Sequence, residues 1–447
     1  MQGSVWISLK CVVSMDRVNK VMLADDSLCY YYRGDPSISI GVLGMVDDTL
    51  AISKCGVASV KKNAIMNSFI EEQRLTLSRT KSSVIHIGRK SKCQLPCPTL
   101  RVHESEMKTA DSVRYLGEIV SASGARRPCI EDRRNKGWAK VSEITGQLAV
   151  IPENRKIEAG LKLRETKLCN GILYSTEAWT NISDKEYERL EQVDLAVLRA
   201  IIGGGHSKCT KAFYYLEFGI LMFRHIIMIK RLNYHHHIIT RDDRELIKKV
   251  YQKQKDAPLI GDWVKLIQRD YDFIGEDWND EIIRSIPKED FTKLVNEKVQ
   301  KAAFSSYLAM KEKSKTKMKY LKYDKFERQD YLSNKIFNRS EIKLLFALRS
   351  KCYSAKNNFK KMNKGSLQCI FKCAQIETQD HVFEHCEPIL SKMSFKHTEK
   401  VENIYGSMTE QKGAIQVFIE IDKIRKSMIE NLPPGGATAR TQDIISS

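Results

Sequence analysis

Apolar residues at positions 5, 6, 9, 12, 13, 18, 21 and 22 recur three and four apart, which predicts an amphipathic helix over 5–22. From Ser37 the period changes. "SISIGVLGMV", a short polar "DDT" and "LAIS" predict a hairpin with Asp47 and Asp48 at its tip. Residues 57–75 return to helical spacing, "SSVIHIG" (82–88) reads as a strand, and "VRYLGEIVSASG" (113–124) as another strand ending in a turn. This order describes an α+β layer with helices on one face. From about residue 127 the pattern is helical, as in "DKEYERLEQVDLAVLRAIIG" and "RELIKKVYQKQ", and "GGGH" at 203–206 is expected to end one helix. No fixed-period repeat is visible. Residues 431–447 lack any apolar period and are expected to be a disordered tail.

Composition sharpens this outline. The 447 residues suffice for two or three domains, and 42% hydrophobic with 29% charged residues is a globular balance. No apolar run reaches the length needed to span a bilayer, and "MQGSVWISLKCVV" lacks the basic start and cleavage site of a secretory signal. The expectation is an intracellular protein, in nucleus or cytoplasm, with no membrane partner. The twelve scattered cysteines are then reduced thiols.

The charge changes the picture most. Lys and Arg outnumber Asp and Glu by 74 to 55, giving +19 and a pI near 9.3. Residues 311–364 alone hold 17 Lys/Arg against 5 Asp/Glu, interleaved with Tyr320, Tyr323, Phe326, Tyr331, Phe337, Phe346, Tyr353 and Phe359. Cations neutralise phosphates and aromatic faces stack on bases, so the mixture predicts a nucleic-acid surface. The competing reading is a solvated helical face whose aromatics belong to the core.

Two Asp-Asp pairs stand out. "LADD" (Asp25, Asp26) reads as a polar helix end. "MVDD" (Asp47, Asp48) lies where a sheet would fix a carboxylate, as a magnesium site requires, although a plain turn has the same letters. A second cluster is "CIFKCAQIETQDHVFEHC", in which Cys369, Cys373, His381 and Cys386 give C-x3-C-x7-H-x4-C. Thiolates and an imidazole at that spacing suit tetrahedral zinc, with "ETQDHVFEH" as the helix carrying His381 and with His385 as a rival to Cys386. "CQLPC" (Cys93, Cys97), with His86 and His103, reads as unligated, and "HHH" (235–237) as the end of an apolar helix.

Taken in order, "QGS" at Gln2, Gly3 and Ser4, "MVDD", "LTLSRTKSSVIHIG" and "VRYLGEIVSASG" resemble consecutive palm motifs of a reverse transcriptase, in particular of the non-LTR (LINE-type) retrotransposon polymerases. "RGDPSIS" (33–39) imitates the glycine loop but lies too near Asp47 for the intervening helix. The segment 203–243 resembles the helices after the palm. The Cys369–Cys386 segment resembles the C-terminal Cys-Cys-His-Cys element of these enzymes, where the first pair is usually C-x2-C.

The resemblance implies an α+β palm remnant followed by a mainly helical region with a small zinc module. Its parts would be a partial palm (1–125), thumb-like and connecting helices (126–290), a basic helical region (291–365), the zinc module (366–392), and a C-terminal helix with the tail (393–447). It also implies RNA-directed DNA polymerisation by two magnesium (or manganese) ions on an RNA template with a DNA primer or target. Asp47 would ligate metal and Asp48 support it. Lys81 would face the leaving group, Gln2 and Gly3 would line the template and nucleotide floor, and Tyr115, Leu116 and Gly117 would grip the primer. The family's remaining metal-binding aspartate lies upstream of the "QG" loop, which here starts at Gln2. A polymerase fragment, inactive alone and lacking fingers and endonuclease, is therefore expected. The alternatives are a non-catalytic RNA- or DNA-binding protein derived from a retroelement, and a helical scaffold whose charge serves solubility.

Overall fold

The structure, a computed structural model, describes residues 5–45, 48–78, 80–87, 99–102, 105–180, 182–204, 209–313, 321–333, 335–353, 355, 367–394 and 397–431, with side chains from Met15 onward. Gln2, Gly3, Asp47, Cys93, Cys97, His103, Tyr320, Phe359 and the expected tail beyond Asn431 lie outside these residues. Helices dominate, and the strands among the described residues form five two-stranded sheets. No single described helix is long and apolar enough to cross a membrane. The chain divides into two compact units, each assembled from three stretches. One comprises Met1–Asn135, Ser175–Tyr187 and Lys230–Lys293, the other Lys136–Tyr174, Glu188–Ile229 and Leu294–Ser447.

In the first unit the opening helix is Val5–Ala24. Its apolar face meets that of helix Gly56–Glu72 in a cluster of Val18, Met22, Phe69 and Ile70, which Val42 and Ile65 flank. Asp25 caps the short turn that follows, its carboxylate accepting from the Ser27 N–H at 2.9 Å, so "LADD" is a helix end as expected. The antiparallel strands Val42–Met45 and Asp48–Ala51 pair Leu43 with Leu50 and Met45 with Asp48. Asp48 therefore begins the return strand. Gly41 precedes the hairpin because a Cβ there would lie 2.6 Å from Leu23 and 3.0 Å from the Cys29 sulfur.

Two strand expectations need correction. "SSVIHIG" contributes only Ser83–Val84, parallel to Lys108–Thr109. "VRYLGEIVSASG" is a tight hairpin, Ser112–Tyr115 against Glu118–Ser121, because Leu116 (φ 46°) and Gly117 (φ 83°) reverse the chain within two residues. "RGDPS" has a structural role. Arg33 pairs with Asp262, and Asp35 accepts from Ser37 and from Lys253 at 2.7 Å.

The second unit is built around buried ion pairs. Glu217, fully buried, accepts from Tyr323 (2.6 Å), Tyr331 (2.5 Å) and Arg349 (2.9 and 3.1 Å). Arg164 forks onto Asp194 at 2.6 and 2.7 Å, and Tyr215 donates to the same carboxylate. Helix Asp184–Ile202 ends on Gly203 and Gly204, both at positive φ, as the glycine run predicts. The aromatics of the basic region go inward. Tyr323, Tyr331, Phe337, Phe346 and Tyr353 are buried, while Lys322, Lys325, Lys335 and Lys343 stay exposed. Among the described residues, then, these rings serve the core rather than stacking on bases, because their apolar area is worth more in the interior than on the surface.

Candidate metal centre and aspartate hairpin

Residues 367–377 fold back on themselves. Glu377 N–H donates to the Leu367 carbonyl and Cys369 N–H to the Gln375 carbonyl, both at 2.9 Å. Between these bonds the chain turns at Lys372, whose φ of 63° lets the loop close with three residues between Cys369 and Cys373. The Thr378 hydroxyl then accepts from the His381 N–H at 2.9 Å, starting the wide helical turn His381–His385, and Cys386 opens the next turn, Glu387–Leu390. The loop and the turn bring Cys369, Cys373, His381 and Cys386 together, with their ligand atoms within 4.8 Å of one another. Among the described residues this is the one group of three or more Cys, His, Asp or Glu side chains placed to hold a metal ion.

The sulfur spacing fits zinc. A tetrahedral Zn–S length of about 2.3 Å sets a sulfur–sulfur edge of about 3.8 Å. Cys386 Sγ lies 3.7 Å from Cys369 Sγ and 3.8 Å from Cys373 Sγ. All three are free thiols. The hydrogen bond between Cys386 and Cys369 pulls the Cys369 thiol below its usual range and pushes Cys386 above it, so Cys369 is the sulfur of the pair that ionises first. His381 is 3% exposed, and its Nε2 is buried without a hydrogen-bond partner. A buried imidazole nitrogen left bare beside three sulfurs is what a metal ligand looks like before the metal is counted. His385 is not in the group. Its side chain is exposed and its Nε2 sits 3.7 Å from Glu384, so the rivalry resolves in favour of the fully buried Cys386.

The cluster is tied to its surroundings by a buried carboxylate. Glu377 is 1% exposed; one oxygen accepts from the Ile370 N–H at 3.0 Å and the other from Arg425 at 2.7 Å. Arg425 belongs to helix Met408–Glu430, which a Ser407/Glu410 capping box starts. Phe383 stacks on Phe418 of the same helix at 3.9 Å. Sequence reasoning missed Gln375, Glu377 and Arg425 as supports. The only signal for Glu377 was the acidic "ET" before His381, and Arg425 sits in an unremarkable helical pattern.

The aspartate hairpin is less complete. Asp48 is exposed, and no other carboxylate joins it in a metal-holding group among the described residues. One exposed carboxylate does not suffice for magnesium, which needs several oxygen ligands in near-octahedral order. Tyr115 does reach this hairpin, its hydroxyl donating to the Leu43 carbonyl at 3.2 Å. Burial, then the nearby Asp48, raises the Tyr115 hydroxyl above its usual range. Arg133 holds the adjoining turn through the Gly117 carbonyl (3.2 Å). Leu116 is exposed at that turn. Lys81 lies in an exposed turn, its N–H donating to Ser78, and neither its side chain nor that of Asp48 makes an ion pair among the described residues. Of the expected polymerase residues that are described, Tyr115 and Asp48 are the two from separate segments brought together. No protein-family model and no curated protein matches the chain.

Proposed function

We propose that this chain is a zinc-stabilised, nucleic-acid-binding part of a LINE-type reverse transcriptase, with zinc held by Cys369, Cys373, His381 and Cys386. The observation that carries the reading is the Cys3His cluster, whose sulfur spacing and bare His381 nitrogen fit a tetrahedral ion. A closed four-ligand set with three sulfurs is a structural centre, with no open position for substrate. Its role is to fix the 367–386 segment against helix Met408–Glu430. The net charge of +19 supplies the affinity for an RNA template or DNA target. In this reading Asp47 and Asp48 contribute to a magnesium site that needs a further carboxylate, so nucleotidyl transfer is not expected from the chain alone.

The test is direct. Purified chain should carry one zinc, measured by metal analysis, and Cys369→Ser should remove it. Labelled RNA should bind with an affinity that falls steeply between low and moderate salt. Primer extension with magnesium should be undetectable, for the wild type and for Asp47→Ala alike. A chain that binds no zinc, or binds RNA with no salt dependence, would sink the reading. Extension abolished by Asp47→Ala would instead put a complete polymerase site in this chain.

A further inference from the structure

We propose that Gln375 is a positioning residue for the metal centre, fixing His381 as a ligand through Nε2. The inference rests on the zinc reading above and deepens it. His381 Nδ1 and the Gln375 side-chain oxygen are 2.8 Å apart. An amide oxygen only accepts, so Nδ1 carries the proton and donates. The neutral imidazole then has its lone pair on Nε2, the buried nitrogen without a partner. Hydrogen bonding thus selects the tautomer and aims the free nitrogen at the sulfurs.

Gln375 does this from a privileged place. Its backbone carbonyl accepts the Cys369 N–H at 2.9 Å. One residue therefore pins a thiol ligand with its main chain and orients the imidazole ligand with its side chain. Because the acceptor is a neutral amide, the centre gains orientation without a further negative charge beside three sulfurs. Mutation of such outer partners usually weakens metal binding about 10–100-fold.

Two substitutions separate orientation from packing. Gln375→Met keeps most of the volume and removes the acceptor, while Gln375→Glu keeps the acceptor. With the full chain and a competing fluorescent chelator as the probe of zinc affinity, Gln375→Met should bind about 10–100-fold more weakly and Gln375→Glu should match or exceed the wild type. Nitrogen-15 shifts of the zinc-loaded, histidine-labelled chain should show His381 protonated at Nδ1 and metal-bound at Nε2. Equal affinity for Gln375→Met and wild type, or metal on Nδ1, overturns the assignment while leaving the zinc reading intact. A wild-type chain that takes up no zinc overturns both.

Discussion

Replacing Glu217 by Ala tests the core of the second unit. The substitution strips Arg349 of its carboxylate while the guanidinium stays 3% exposed, and leaves the Tyr323 and Tyr331 hydroxyls without their acceptor. Orphaning one member of a buried ion pair costs about 3–5 kcal/mol, and each stranded hydroxyl about 1–3 kcal/mol before relaxation. Even with partial relaxation, a loss of at least about 4 kcal/mol is expected, a large share of the roughly 5–15 kcal/mol that stabilises a domain. Glu217→Ala with Arg349→Met removes the stranded charge and should recover at least about 2 kcal/mol, despite losing the Arg349 bond to the Ile404 carbonyl at 3.0 Å. Adding Tyr323→Phe and Tyr331→Phe should recover more. Urea titration followed by hydrogen exchange of peptides from 188–229 and 321–353 reads the loss where it occurs. If Glu217→Ala costs under about 1 kcal/mol, or Arg349→Met makes it worse, the pair is not the keystone described here.

Other outcomes follow from the same structure. Cys386→Ser should abolish stoichiometric zinc, whereas His385→Ala should leave it unchanged; equal loss in metal analysis would restore His385 as a ligand. Burial holds His225 and His235 down at about 3, helped by Arg224 and Lys211 for the first and by Lys255 and Lys248 for the second, against the pull of Asp280. The unfolded chain binds those protons below about 6.5 and the folded chain does not, so the stability these two histidines contribute should be constant above that pH and fall below it. Each histidine should cost on the order of 2 kcal/mol by pH 5, and His225→Gln and His235→Gln variants whose urea midpoints fall from pH 7 to 5 as much as the wild type's would refute this. Lys62, 2% exposed, ties the Gly41 and Ile52 carbonyls (2.8 and 2.5 Å) at the base of the aspartate hairpin. Lys62→Met should free both acceptors and speed amide exchange across 41–52 by at least about tenfold, and unchanged protection would exclude the clamp.

Much of this was legible in the sequence where a local rule decides. The helices, the glycine stop at 203–204, the hairpin around Val42–Ala51 and the Cys3His ligand set all follow from spacing within one segment. The 112–121 hairpin was not visible, because its turn puts Leu116 at a positive φ that sequence propensity assigns to Asn or Gly. The aromatics of 321–353 misled for a related reason. A ring among lysines has the same letters whether it faces base or core, and only partners from elsewhere, such as Glu217 for Tyr323 and Tyr331, decide which. Gln375 carries no signal at all in one sequence. Its importance arises from a fold-back that sets it opposite Cys369 and within reach of His381.

The division of each unit into three stretches has a consequence for how the protein is made. Glu217 waits for Tyr331 and Arg349, more than a hundred residues later on the ribosome, and Arg33 waits for Asp262. Neither unit can close during early synthesis, and the second must hold apolar helices such as Lys211–Phe218 open until the strand of translation has passed residue 349. Slow folding is the expected result of such distant closures. For the same reason no single cut in the chain yields the second unit whole, since its three stretches alternate with those of the first.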